Sequence, residues 1–446
     1  MSKEIYQTTP QKRSSFEERV SPILIKRKST LFSNDNFCLP KTHEDCDVII
    51  SSPEFQRLRR IAQLGIVQYL YPSATHTRYE HSLGVSNLAD KLVHCLNMKQ
   101  LFQGQIPEFD RITDEDAKLI SIAGLVHDLG HGPFSHMYEH LMRDCGKHFV
   151  HEEQSCKLFI KVVDDNAIDL DKHQMNIIQN IITGQRLNVK PWRGDIISNG
   201  LNGIDVDRLD YIRRDSHHLN RPISFNVDNI ISKCVLINGQ ICFLEDAKPD
   251  IERFFTNRYD LYDNVYTDKK VTSAELLTLD IITESYNYVP LLQADPSDLY
   301  KFIQLDDSLL TTIRFSTSPE LEKARKLLRR LDSGDYYQYI DQIKQTPENE
   351  HALHQLTSEN LASCVSGLES NDIIVDTNYI TVAKKDNWDG IYFVDSVDSE
   401  QFTTQNPSCL YPTENKTLYK RIYTRDKNKY RIVKEAFDKW NEKYLK

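Results

Sequence analysis

The chain has 446 residues, enough for one large core and a smaller one, and its formal charge of −10 argues against a protein that coats nucleic acid through global charge. No run approaches the roughly eighteen apolar residues of a membrane span, and the opening MSKEIYQTTPQKRSS has no apolar signal-peptide core. Nine scattered cysteines without a CxxC pair fit reduced thiols, so a cytoplasmic or nuclear rather than secreted protein is expected, with no membrane partner.

In chain order, residues 1–45 read as a polar arm with basic clusters at Lys12-Arg13 and Lys26-Arg27-Lys28. Cys38, His43 and Cys46 have no fourth ligand at zinc-knuckle spacing and read as a loop with two thiols. From Pro53 the pattern turns helical: Phe55, Leu58, Ile61 and Ala62 recur at helical spacing in PEFQRLRRIAQLG, with Gly65 as the stop. YEHSLGVSNLADKLVHCL repeats it through Leu83, Leu88, Leu92 and Leu96. TDEDAKLISIAGLVHDLGHGP opens on Thr113 as an N-cap and should break between Gly130 and Pro133. Helical patterns continue over 150–183, 205–218 and 250–290. Further on, NDIIVDTNYITVAKKDNWDGIYFVDS predicts a β-hairpin about an Asp-Gly turn, and KYRIVKEAFDKWNEKYL predicts a closing amphipathic helix. The expected fold is mainly α, with a helical core over 46–295 and a smaller α+β lobe over 296–446.

The chemistry concentrates in HDLGHGPFSHMYEH, His127 to His140, which holds four histidines in fourteen residues. Nine of the fifteen histidines fall between His76 and His151. A His127-Asp128 step after the apolar SIAGLV costs desolvation energy unless something offsets it, and a divalent cation does so directly. One nitrogen and one oxygen donor suit Zn, Mn, Fe or Mg. His81 in RYEH, and Asp205, Asp207 and Asp210 in NGIDVDRLDYIRRD, are candidates to complete a four-ligand cage. His131 lies i+4 from His127, while His136 and Glu139 stand i, i+3 as an imidazole–carboxylate pair suited to proton transfer. Arg78, Arg208, Tyr211 and Arg258 around these acids suggest a polyanionic substrate and phosphoryl chemistry.

The runs FQRLRRIAQLG, RYEHSLGV, AGLVHDLGHGPFSHM, HEEQS, NGIDVDRLDYIRRDSHHL and FTNR…VYTDKK resemble the HD-domain phosphohydrolases. Within them, the chain resembles the dNTP triphosphohydrolases that pair an HD domain with a sterile-alpha-motif domain. The resemblance covers about residues 50 to 340, and the arm is too short for a sterile-alpha-motif domain. It implies an all-helical HD-domain core, with His81, His127, Asp128 and Asp207 as metal ligands. It implies His131 and His151 at the α-phosphate or a second metal, and His136, oriented by Glu139 where the family has Asp, as proton donor to the leaving 5′ oxygen. Arg78, Arg208 (usually Lys), Tyr211 and Arg258 would hold the triphosphate. Gln63, Asp215 and Tyr266 would contact the sugar, with Leu64 packed where a 2′-OH would clash. The implied reaction is metal-hydroxide attack at the α-phosphorus of a dNTP, releasing deoxynucleoside and inorganic triphosphate, in a homo-oligomer (dimer or tetramer).

A regulatory nucleotide is implied as well, with Gln56, Arg59 and Arg325 retained for it. Ser51 stands where a guanine-reading acid is expected, only Asn34-Asp35 remain of an expected Asn-Asp-Pro-Ile-His-Gly loop, and Leu244, Asp246 and Thr267 replace expected polar or basic residues. Activation by GTP is therefore expected to be lost or changed. Two other readings stay open: an HD phosphohydrolase acting on another nucleotide or an oligonucleotide, and a regulator that binds nucleotide or single strands without turnover. Nucleic acid as a partner is not indicated.

Overall fold

The computed structural model describes residues 44–381, 388, 390–405 and 416–445. The arm over 1–43, with both basic clusters, Asn34-Asp35, Cys38 and His43, lies outside the described residues, as does Cys409.

Helices α1 (Glu44–Ser51) and α2 (Pro53–Arg57) lead into α3 (Arg78–Gln100), α4 (Asp114–Val126), α5 (His136–Asp144) and α6 (His151–Asn166). They are followed by α7 (Lys172–Ile182), α8 (Trp192–Ile197), α9 (Val206–His218), α10 (Val227–Ser232), α11 (Lys248–Leu261) and α12 (Lys269–Ser285). The Phe55 helix is shorter than its spacing predicts. It passes into a 3-10 turn at Leu58–Arg60 and reaches extended backbone at Ile61, so Ala62–Leu64 form a loop against Thr77 rather than a last helical turn. Gly65 (φ +54) instead opens a second 3-10 turn.

α3 and α4 are the spine. Thr77 and Glu80 form a capping box that starts α3, and Thr113 with Asp116 does the same for α4, as the sequence suggests for Thr113. From Leu119 to Val126 α4 is buried all round, the mark of a helix enclosed by others. α9 crosses α3 at Gly84, where a Cβ would meet Asp210 Oδ1 at 2.1 Å and the Arg214 guanidinium at 2.2 Å. Only glycine lets those two charged side chains lie against α3.

The strands fall into two small sheets. β1 (Cys234–Ile237) and β2 (Gln240–Leu244) form a hairpin within the helical region. The remaining strands are β3 (Gln338–Lys344), β4 (Ile373–Thr381), β5 (Tyr392–Val394), β6 (Thr403–Thr404) and β7 (Lys416–Thr424). One sheet has the order β1-β2-β5-β6, with β2 and β5 parallel, and the other β3-β7-β4. Among the described residues the hairpin expected across 371–396 is not seen: β4 pairs with β7 from Ile373↔Thr424 to Thr381↔Lys416, while β5 joins the other sheet. The nine-pair register with β7 offers β4 far more ladder than the three residues of β5 could. Helices α13 (Leu299–Phe302), α14 (Leu309–Phe315) and α15 (Glu322–Ser333) lead from the core into this lobe. Short α16 (Glu350–His354) and α17 (Ser358–Ala362) follow, and α18 (Tyr430–Tyr444) closes it, burying Val433, Phe437 and Trp440 against Ile373 and Ile422. No described helix is long and apolar enough to cross a membrane.

Candidate metal centre and active site

α4 ends at Val126, so His127 is its C-cap and Asp128 begins the following turn, both at the buried foot of the spine. α3 brings His81 from its first turn and α9 brings Asp207 from its own. Four donors converge. His81 Nε2 lies 3.1 Å from Asp207 Oδ1 and 3.6 Å from Asp128 Oδ2, and His127 Nε2 lies 3.5 Å from Asp128 Oδ1 and 3.6 Å from Asp207 Oδ1. An ion bound at about 2.0–2.2 Å to each ligand sets adjacent donor atoms roughly 3.0–3.5 Å apart, so these residues fit a divalent metal.

Both imidazoles are fixed as metal-ligating histidines are. His127 Nδ1 lies 2.8 Å from the Gly124 carbonyl, and a carbonyl only accepts, so Nδ1 carries the proton. Its Nε2 is buried and has no hydrogen-bond partner among the described residues. His81 Nδ1 lies 2.9 Å from Asp210 Oδ2, which directs its Nε2 toward Asp128 and Asp207. Burial disfavours the charged form of His81, but Asp207, Asp210 and Asp128 outweigh it and lift its pKa to about 10. Asp128 is held well below the usual carboxylate range: burial works against ionisation, and Arg78, His127 and His131 overcome it. This centre thus favours positive charge at its middle, from protons or from a cation.

The three aspartates of α9 divide the work. Asp205 is the N-cap, accepting the Arg208 and Asn199 backbone N–H groups at 3.0 and 2.8 Å. Asp207 faces the metal centre. Asp210 is fully buried behind it, holding His81 and, at 2.8 and 2.9 Å, the Arg214 guanidinium. Asp205 and Asp210 are the two candidates of this run whose functions the sequence leaves undistinguished.

Beside this centre sits a second group. His131, His136 and His151 place ring nitrogens within 4.8 Å of one another, with the His131 and His151 rings stacked at 3.9 Å. The expected Glu139–His136 pairing is replaced: Glu139 Oε1 bonds His151 Nδ1 and accepts its backbone N–H at 3.3 Å. α6 brings His151 back over α5, and an i, i+3 spacing alone does not decide which neighbour a carboxylate meets. Gly130 permits the approach, since a Cβ there would meet the His151 carbonyl at 2.1 Å. Burial, Arg78 and His151 push His136 down to about 4. The anionic oxygens of a bound polyphosphate would act in the opposite sense.

The polyanion and sugar candidates lie around these two groups. Arg78 is buried, with Nη1 2.5 Å from Asp128 and Nε donating to Ser135 Oγ at 2.8 Å, so it offsets the charge of a candidate metal ligand. Arg208 turns back onto Asp205. The Arg258 guanidinium lies 4.8 Å over the Tyr262 ring, and it and Arg208 both flank the half-buried Tyr211 phenol, which burial and Tyr262 push upward. Asp215 is fully buried between His76 Nε2, at 2.7 Å, and the Tyr266 hydroxyl. Tyr266 ends a π-helical turn that opens α11 into the site. Gln63 leaves its buried Oε1 without a partner among the described residues, and Leu64 follows in the same loop. Of the regulatory candidates, Gln56 accepts from Arg59 Nε at 2.9 Å, and Arg59 stacks 3.5 Å over Tyr79. Arg325 is tied to its own segment, through the Ser316 and Ser318 carbonyls and Glu322.

Known proteins place this geometry in a family. The HD domain profile matches residues 78–215. The chain is 34% identical over 399 residues to the deoxynucleoside triphosphate triphosphohydrolase SAMHD1 homolog of Dictyostelium discoideum, covering 87% of this chain and 76% of that protein. It is 31% identical over 336 residues to deoxynucleoside triphosphate triphosphohydrolase SAMHD1 of Homo sapiens, covering 67% of this chain and 53% of the human protein. It is also 31% identical over 398 residues to the HD domain-containing protein L394 of Acanthamoeba polyphaga mimivirus, covering 81% of this chain and 84% of that protein.

Proposed function

This chain belongs to the SAMHD1 family of deoxynucleoside triphosphate triphosphohydrolases, and from that premise we propose that it hydrolyses dNTPs to deoxynucleoside and inorganic triphosphate at the His81, His127, Asp128 and Asp207 centre. It is a hydrolase of the HD superfamily. The observation that carries the reading is the pair of buried imidazoles whose Nδ1 atoms are fixed and whose Nε2 atoms face two carboxylates at ligand spacing.

A divalent ion at this centre supplies positive charge to the α-phosphoryl group and brings the pKa of a water toward about 7. The rest falls to the chain's own residues. His81, His127, Asp128 and Asp207 would hold the ion, and Arg78 offsets the charge of Asp128. His131 and His151 wall the α-phosphate side, and His151 is fixed by Glu139. His136 carries the proton for the leaving 5′ oxygen once a polyphosphate raises its affinity for one. Arg208, Tyr211 and Arg258 bind the anionic oxygens. Asp215, oriented by His76 and Tyr266, accepts from the sugar hydroxyl, Gln63 Oε1 offers a second acceptor, and Leu64 excludes a 2′-OH. Homo-oligomerisation, and control by a nucleotide at Gln56 and Arg59 that differs from GTP activation, belong to the same proposal. Solution mass with and without GTP and dNTPs tests both.

The experiment is product analysis by anion exchange. Wild type, His127→Ala and Asp128→Ala are each incubated with dNTPs and NTPs under Mg or Mn, with and without GTP. Triphosphate and deoxynucleoside from wild type alone support the proposal. Pyrophosphate and monophosphate, or turnover of NTPs only, would replace the assigned substrate or bond. Equal turnover in both variants would remove the centre from the reaction.

A further inference from the structure

Two consecutive non-glycine residues, Phe134 (φ +60) and Ser135 (φ +61), lie in the left-handed region immediately before His136. Such backbone persists only where its surroundings over-determine it. Four contacts do so. Asp307 Oδ1 accepts the Phe134 backbone N–H at 2.6 Å. Ser135 Oγ donates to the Ala62 carbonyl at 2.7 Å and accepts from Arg78 Nε at 2.8 Å. Gly65 passes so close over Phe134 that a Cβ there would sit 3.0 Å from its carbonyl oxygen.

Asp307 does more than pin one turn. Its other oxygen, Oδ2, accepts the Ala62 N–H at 2.8 Å. Ala62 directly precedes Gln63 and Leu64, so one carboxylate spans the loop assigned to the sugar and the strained turn that launches the assigned proton donor. Its own backbone N–H is anchored on the Arg60 carbonyl at 3.1 Å. The flanking contacts follow the same plan: Asp306 pairs with Arg60, and buried Arg57 reaches the carbonyls of Leu305 at 2.7 Å, Leu129 at 3.2 Å and His131 at 2.6 Å. Asp307 lies far beyond the 78–215 segment that matches the HD profile.

We infer that Asp307 is a positioning residue that sets the separation between the sugar-facing loop at Gln63–Leu64 and the His136 turn. This rests on the dNTP reading given above. The carboxylate touches no reacting atom and acts through the two amides it binds. Without it the strained turn loses its strongest acceptor, and both loops gain freedom at once. Proton delivery and rejection of a 2′-OH should therefore fail together, although they depend on different side chains.

The test compares wild type, Asp307→Asn and Asp307→Glu. An asparagine has one acceptor oxygen and must present its NH2 to the other amide, while its volume is nearly unchanged. Expected for Asp307→Asn are normal metal binding, a kcat on dATP lowered about 10- to 100-fold, and a narrowed preference for dATP over ATP. Asp307→Glu, which keeps both acceptors, should restore part of each. Hydrogen exchange follows the same proteins and should show protection lost at residues 61–65 and 132–137 in Asp307→Asn alone. Wild-type kcat, KM and dATP-to-ATP preference in Asp307→Asn would overturn the inference, even with lowered thermal stability. Wild type that turns over no dNTP would overturn the functional reading instead. Hydrogen exchange then decides the positioning claim, and unchanged protection at both loops overturns it.

Discussion

Asp210 offers a way to weaken the metal centre without touching a ligand. Its carboxylate bonds His81 Nδ1 at 2.9 Å on one side and the Arg214 guanidinium at 2.8 and 2.9 Å on the other, and it is fully buried. Burial would raise its pKa, yet Arg214 and His81 hold it at about 2, so it is ionised at every working pH. Asp210→Asn keeps one acceptor oxygen for two donors. If that oxygen stays with Arg214, the His81 ring loses its fixed tautomer and orientation. Removing such a supporting partner typically costs about 10- to 100-fold in metal affinity, equivalent to about 1.4–2.8 kcal/mol. Asp210→Ala should behave differently: Arg214 would lose both hydrogen bonds of its closest ion pair, and breaking a buried pair costs about 3–5 kcal/mol. Titration calorimetry of metal-free protein with Mn2+, alongside thermal unfolding, separates the two effects. Asp210→Asn should lose affinity while still folding, and Asp210→Ala should lose stability first. Wild-type Mn2+ affinity in Asp210→Asn would refute the claim that Asp210 prepares His81 for a metal.

Other expectations follow from the same contacts. Gly130→Ala places a Cβ 2.1 Å from the His151 carbonyl and 2.3 Å from the Ser155 backbone nitrogen, so α6 must move; unfolding midpoint and kcat should both fall, the former by about 1–3 kcal/mol of stability. Leu64→Ala should narrow the dNTP-to-NTP ratio of kcat/KM by about tenfold with dNTP turnover itself little changed, read in competition assays. Burial, with Asp376 adding to it, lifts the half-buried Glu275 carboxyl from 4.5 to about 8. The folded state thus keeps a proton that the unfolded chain has already released, and stability should fall as pH rises from about 4.5 to about 8. Glu275→Gln should flatten that slope and raise the melting midpoint at pH 8.5 by roughly 1–3 °C; an unchanged slope would contradict it.

The helical core was legible because its signals are local. Thr113 with Asp116 declares the start of α4, and the apolar run from Leu119 to Val126 declares a buried helix whose His127-Asp128 end needs a charge partner. The convergence of His81 and Asp207 on that end could be posed from sequence but not resolved. Asp205, Asp207 and Asp210 lie within six residues; the resemblance singles out Asp207, while the fold of α9 against α3 shows that Asp205 caps the helix and Asp210 stands behind His81. Glu139 shows the limit of spacing arguments: its i+3 neighbour was in reach, yet a residue twelve positions on supplies its hydrogen bonds. Strand pairing was the least legible part. The Asn238-Gly239 turn between two apolar runs is a strong hairpin signal, with φ +50 and +74, and it lies between the helical patterns at 205–218 and 250–290. The Asp-Gly signal at 389–390 suggested a pairing that the longer β4–β7 ladder displaces. Asp307 carries no motif at all, because its two partners are backbone amides some 245 and 173 positions earlier.

The most direct test of the central claim is hydrolysis of dATP in water enriched in 18O, with products separated by anion exchange and the phosphorus resonances read for the isotope shift. Attack at the α-phosphorus at the centre formed by His81, His127, Asp128 and Asp207 predicts deoxyadenosine without label and inorganic triphosphate carrying one 18O on a terminal phosphate. Label in the nucleoside, release of pyrophosphate or orthophosphate instead of triphosphate, or no turnover of any dNTP would contradict it.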